Sequence, residues 1–224
     1  MPRLHLLCDE GSLLGTVKQF KPCLALAACL WVTAAIAHAA GDAAAGRALA
    51  EPCKACHGAD GNAVTDIYPS IAGQNARYLA TQMRLIRDGV RVAPLMAGQL
   101  TGKTDQDLEN LAAHFAAQKS NIGEAEDNAE LLAAGRGIYR SGILSKQVTA
   151  CIACHGPSGT GNAPAGFPQI RGLSKTYLTD QLKAYREGVR KTDEAYGGMM
   201  REVAARMTDG EIGAVANYVH GLME

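Results

Sequence analysis

The chain has 224 residues, and its 22 Lys plus Arg match its 22 Asp plus Glu, so no basic excess points to nucleic acid. A hydrophobic content of 47% excludes a disordered chain. Aromatic residues make up only 5%, so something other than large rings must fill the core.

The first readable segment is an export signal. Lys18 and Lys21 precede an apolar run from Cys23 to Ile36, and Ala37-His38-Ala39 supplies a small-x-small cleavage pattern. The run of about 14 residues is short of the roughly 20 needed to span a bilayer. Residues 1–39 are therefore expected to be removed, leaving a soluble periplasmic protein without stable membrane insertion. Asp9 and Glu10 ahead of the positive region suggest a true start nearer Val17. Leu26-Ala27-Ala28-Cys29 resembles a lipoprotein box, but the apolar run continues past Cys29, which makes lipid anchoring the lesser alternative. Cleavage near Ala39 also removes Cys8, Cys23 and Cys29, and leaves Cys53, Cys56, Cys151 and Cys154.

Those four cysteines sit in one word written twice, "CKACHG" from Cys53 and "CIACHG" from Cys151. The words lie within a longer internal repeat. "AGRAL" from Ala45 matches "AGRGI" from Ala134, and "YPSIAG" from Tyr68 matches "FPQIRG" from Phe167. "RYLATQMRLIRDGVR" from Arg77 matches "TYLTDQLKAYREGVR" from Thr176, and "TDQDLENLAAHF" from Thr104 matches "TDGEIGAVANYV" from Thr208. The order is preserved, so the mature chain is a tandem duplication, with units over 40–122 and 123–224 and a polar linker within 117–130.

Each unit reads as helical. Leu79, Met83 and Ile86 fall at helical spacing before Gly89, as do Leu178, Leu182 and Tyr185 before Gly188. The last helix of each unit opens on a capping pattern, Thr104 with Asp107 and Thr208 with Glu211. Its apolar stripe is Leu108, Leu111, Ala112 and Phe115 in the first copy, and Ile212, Val215, Ala216 and Val219 in the second. No alternating strand pattern appears.

Four chemistries fit a Cys-x-x-Cys pair. One four-thiolate zinc site would leave each unit incomplete and would leave His57 and His155 unexplained. A thioredoxin-like dithiol needs a βαβ context that is missing, and disulfides do not require a histidine after each pair. Covalent haem accounts for all of it: two thiols on one helical turn add to the two vinyl groups, and the adjacent His57 or His155 reaches the iron. The macrocycle also supplies the missing apolar volume in a unit that is small for a self-sufficient core. Among the seven methionines, only Met96 and Met200 recur, each eight residues before its capping threonine. They are the expected second axial ligands, in loops before the final helices, and methionine ligation marks a six-coordinate electron carrier. Met200 is favoured over its neighbour Met199 by that spacing. His114 and His220 do not recur and suit solvated helix positions.

On these motifs the mature chain resembles the two-haem cytochrome c4 family, a class I cytochrome c duplicated in tandem. The resemblance implies an all-α fold of two tandem class I cytochrome c domains, each wrapped around one covalently bound haem c. It implies that the carbonyls of Pro69 and Pro168 accept the other N–H of the ligating histidines. It also implies that Tyr78, Arg91, Tyr177 and Arg190 lie near the haem edges within reach of the propionates, and that the two domains face each other with their haem edges close. The expected role is a one-electron carrier rather than an enzyme, passing electrons from a quinol-oxidising complex to a terminal oxidase or reductase. A second reading is a two-haem subunit of a periplasmic dehydrogenase such as a flavocytochrome c. A two-haem peroxidase would need one site without a methionine ligand, whereas both copies offer a methionine, Met96 and Met200.

Overall fold

Asp42 starts the first element: its carboxylate accepts the N–H groups of Ala44 and Ala45 and caps α1 (Ala43–Leu49). The computed structural model describes residues 41–223, so the expected signal segment, its cleavage near Ala39 and Cys29 lie outside the described residues. The first half continues with α2 (Lys54–His57), α3 (Ala76–Arg87) and α4 (Asp105–Ala116). The second half holds α5 (Ala129–Ser141), α6 (Ile152–His155), α7 (Lys175–Arg186), α8 (Met199–Ala205) and α9 (Asp209–His220). Among the described residues the fold is all-α. Its only β pairing is two isolated bridges, Ile143 with Val148 and Asn162 with Phe167.

Local chemistry sets these ends. Asn75 accepts the N–H of Tyr78 to cap α3, and Ser174 accepts that of Tyr177 to cap α7. Both expected capping boxes form, with Thr104 and Asp107 on α4 and with Thr208 and Glu211 on α9. The expected stripes of α4 and α9 are buried along their whole length. In each half the first helix packs on the last, α1 on α4 and α5 on α9, while α3 and α7 pack on the same last helices.

A glycine permits the first of these crossings in both halves. A Cβ on Gly46 would lie 1.9 Å from the carbonyl oxygen of Asn110, and one on Gly135 would lie 2.2 Å from that of Ala214. The Ala-Gly-Arg word shared by the two copies is thus a helix-crossing device, since only hydrogen fits between those backbones.

The halves differ in two places. Residue 50 is a fully buried alanine, whereas the second half has the fully buried Tyr139 at the matching position. The second difference corrects an expectation. Met96 ends a short 3-10 turn, Pro94–Met96, but Met200 lies inside α8 rather than in a loop. Gly197 and Gly198 are both left-handed and stop the turn at Glu194–Tyr196. The following Met-Met-Arg-Glu-Val-Ala-Ala then has the intrinsic preference to wind as helix, with Ala204 fully buried and Asp193 accepting from the Arg201 backbone and side chain.

Candidate haem sites

Cys53 ends the 3-10 turn Glu51–Cys53, and Cys56 and His57 follow it on α2. In the second half Cys151 caps α6, which carries Cys154 and His155. One helical turn therefore presents both thiols of each pair, and all four are free of disulfides. Gly58 ends the word because its φ of 83° is left-handed and a Cβ there would lie 2.0 Å from the Asn62 carbonyl oxygen.

The two histidines are buried and held alike. His57 Nδ1–H donates to the Pro69 carbonyl at 2.9 Å, and His155 Nδ1–H donates to the Pro168 carbonyl at 2.9 Å. That bond fixes the tautomer and leaves Nε2 as the atom able to bind a metal. Burial pushes both imidazoles below their ordinary pKa, with the proline carbonyls opposing it in part, so both are neutral, as ligation requires. The first thiol of each pair is not activated. Burial raises Cys53, with Lys103 opposing, and burial pushes Cys151 up to about 11.

Among the described residues no cluster of three or more His, Cys, Asp or Glu could hold a bare ion, so the two cysteine pairs do not converge on a shared zinc site. The side chains present fit haem instead: paired thiols, a buried neutral histidine and a second soft donor. Met96 is half-buried against the first-half core. Met200 is half-buried, whereas Met199 is 47% exposed. His114 and His220, expected at solvated positions, are both half-buried, and His220 Nδ1–H donates to the Leu173 carbonyl at 2.9 Å. For His220 the reason is tertiary: α9 ends against the loop that leads into α7.

Tyr78, Arg91, Tyr177 and Arg190 meet where the halves join. Arg91 donates to Tyr177 Oη at 2.9 Å and Gln181 at 3.3 Å, and Arg190 reciprocates to Tyr78 Oη at 2.8 Å and Gln82 at 3.2 Å. Burial would raise the Tyr177 phenol, but the two guanidinium groups outweigh it and hold its pKa below the ordinary value. Gln82 and Gln181 escaped the sequence reading, although both recur at matching positions inside otherwise apolar helix faces. Gln74, a buried residue that bridges to the second half, does not recur and gave no signal.

Comparison with known proteins bears on the same residues. The Cytochrome c family profile matches twice, over residues 43–119 and 133–223. A cytochrome c4 from Pseudomonas aeruginosa is 46% identical, over 84% of this chain and 92% of that protein. The chain belongs to the cytochrome c4 family. The crystal structure of reduced cytochrome c4 from Pseudomonas stutzeri superposes with a TM-score of 0.79 at 39% identity, covering 82% of this chain and all of that one. A thiosulfate dehydrogenase electron acceptor from Stutzerimonas stutzeri is 34% identical over 74% of this chain and 76% of its own length. The fold is thus two tandem cytochrome c domains, the cofactors are two covalently attached haem c groups, and the protein is an electron carrier rather than an enzyme. Among the described residues no helix is long and apolar enough to cross a membrane.

Proposed function

We propose that the protein is an exported carrier that moves single electrons in the periplasm, from a quinol-oxidising complex to a terminal oxidase or reductase. Cys53, Cys56, Cys151 and Cys154 anchor the two haems, and His57 with Met96 and His155 with Met200 are the axial ligands. Residues 1–39 form the cleaved signal, and residues 40–122 and 123–224 form the two haem domains. The observation that carries this reading is the twofold arrangement itself. In each half a buried, neutral histidine follows a cysteine pair and is locked by a proline carbonyl, with a half-buried methionine at the matching place.

When bound, the haem iron supplies the one-electron redox change. The chain's own contribution is ligation, orientation and exclusion of water. Intact mass of the mature protein tests the assignment: it should exceed the cleaved polypeptide by two haems, with Ala40 or Gly41 at the N-terminus. One haem, zinc, or a lipid-modified Cys29 would overturn it. A second reading, an electron-accepting partner of a periplasmic dehydrogenase, is favoured by the likeness to the thiosulfate dehydrogenase electron acceptor. Purifying the native protein separates the two. A free protein reduced by quinol-oxidising membranes supports the first, and co-purification with a dehydrogenase supports the second.

A further inference from the structure

The amide between Pro168 and Gln169 is hydrogen-bonded at both ends. Its carbonyl accepts from His155 Nδ1–H at 2.9 Å, while its N–H donates to Gln74 Oε1 at 2.8 Å. Gln74 belongs to the first half, and its own Nε2–H donates to the Gln169 carbonyl at 2.7 Å, so the side chain clasps the Gln169 backbone from both sides. Gln74, Gln169 and His155 are 6%, 7% and 7% exposed, so the whole chain of bonds lies away from water.

The first half lacks this link. The Pro69 carbonyl holds His57 at the same 2.9 Å, but the N–H of Ser70 in that amide finds no protein acceptor among the described residues. The residue of the second half that matches Gln74 is Leu173, whose side chain has no acceptor to offer.

An amide whose N–H is engaged becomes a better acceptor at its carbonyl, because hydrogen bonds in series polarise one another, and low dielectric strengthens the effect. A stronger bond to Nδ1–H makes the imidazole more basic at Nε2. A more basic ligand stabilises the ferric state and lowers the reduction potential. We infer that Gln74 is a positioning residue for the iron site of the other half: through the Pro168–Gln169 amide it strengthens the hold on His155 and lowers the reduction potential of the second haem, leaving the first untouched. This rests on His155 being the axial ligand.

The test uses the two-haem holoprotein carrying Gln74→Leu, which copies the residue found at the matching place in the second half. Each haem is followed separately through its haem-methyl NMR signals during redox titration. The second haem should become easier to reduce by about threefold in its electron-exchange constant, equal to about 28 mV at ~59 mV per tenfold for one electron. The first haem should stay put. The His155 Nδ1 proton of the reduced protein should move upfield as its bond weakens. Gln74→Glu keeps an acceptor on the Gln169 N–H whether ionised or not, and should hold the second potential at or below that of the unsubstituted protein. Simple loosening of the interface would admit water and lower the potential, so the sign separates tuning from damage. A second-haem potential that is unchanged or lowered in Gln74→Leu, or equal shifts of both haems, overturns the inference. If instead the unsubstituted holoprotein shows no iron-bound His155 in its NMR spectrum, the ligand assignment itself is what has failed.

Discussion

The two halves share a haem-anchoring helical turn and the same 2.9 Å bond from histidine to a proline carbonyl, yet they hold their shared boundary unequally. Arg190 is supported inside its own half by Gln181 at 2.8 Å, Thr192 at 3.0 Å and the ring of Tyr185 at 4.7 Å, and it then reaches across to Tyr78 and Gln82. Among the described residues the Arg91 side chain has only Gln82 at 2.9 Å in its own half before it crosses to Tyr177 and Gln181. Ile86 and Ala93 stand where the second half has Tyr185 and Thr192. The duplication thus kept the crossing guanidinium in both copies, while the second copy alone built a frame around it. Function constrains the turn that presents thiols and histidine, and packing between halves is free to diverge.

The comparison can be broken first at the haems. Cys53→Ser and Cys151→Ser should each leave the altered half poorly folded, because the macrocycle fills its core. The loss should be more complete in the first half. Phe115 is the one aromatic in its buried apolar cluster, whereas the second half retains Tyr139 together with Met207 and Leu222. Hydrogen exchange resolved by half would measure this, and equal loss would remove the claimed difference.

The proposed iron ligands come next. Met200→Leu should abolish the weak methionine–iron charge-transfer band of one haem and lower its potential, and Met96→Leu should do the same for the other. Met199→Leu should do neither, in keeping with its exposure. If Met199→Leu removes the band and Met200→Leu spares it, the register is wrong by one residue.

At the boundary, Arg190→Ala should cost about 2–3 kcal/mol and Arg91→Ala about 1 kcal/mol, because hydrogen bonds to a charged group are each worth ~1.5–3 kcal/mol when buried and less when wet. Denaturant unfolding of the holoprotein would rank them, and the reverse ranking would contradict the unequal framing.

The smallest effect lies at the capping boxes. Thr104→Ala and Thr208→Ala should each cost about 1 kcal/mol. Lys146, then the Thr208 N–H, hold the Glu211 carboxyl below its usual range, and the Thr104 N–H and hydroxyl do so for Asp107. Depressed native values mean that these carboxylates stabilise the fold above the ordinary carboxylate pKa of about 4. That support disappears as pH falls through the lower native values. Thermal melts at neutral pH and near pH 3 should therefore show the Thr104→Ala penalty shrinking in acid. The penalty of Thr208→Ala should respond less simply, since Glu211 also pairs with Lys146.

Much of this was legible in the chain alone, because it rests on short-range rules. The repeated Cys-x-x-Cys-His-Gly depends on one helical turn and one left-handed glycine, the capping boxes on a spacing of three residues, and the buried stripes on helical periodicity. Recurrence then singled out Met96 and Met200 as the proposed second ligands, and both are half-buried. What the tertiary structure decided has no periodicity to betray it. The helix around Met200 forms because two glycines end the preceding turn and Ala204 finds a buried seat. His220 is drawn out of solvent by a carbonyl 47 residues away. Gln74 has a role only because the fold brings it to an amide 95 residues further along the chain, and such pairings are set by how two folded halves meet rather than by the sequence near either partner.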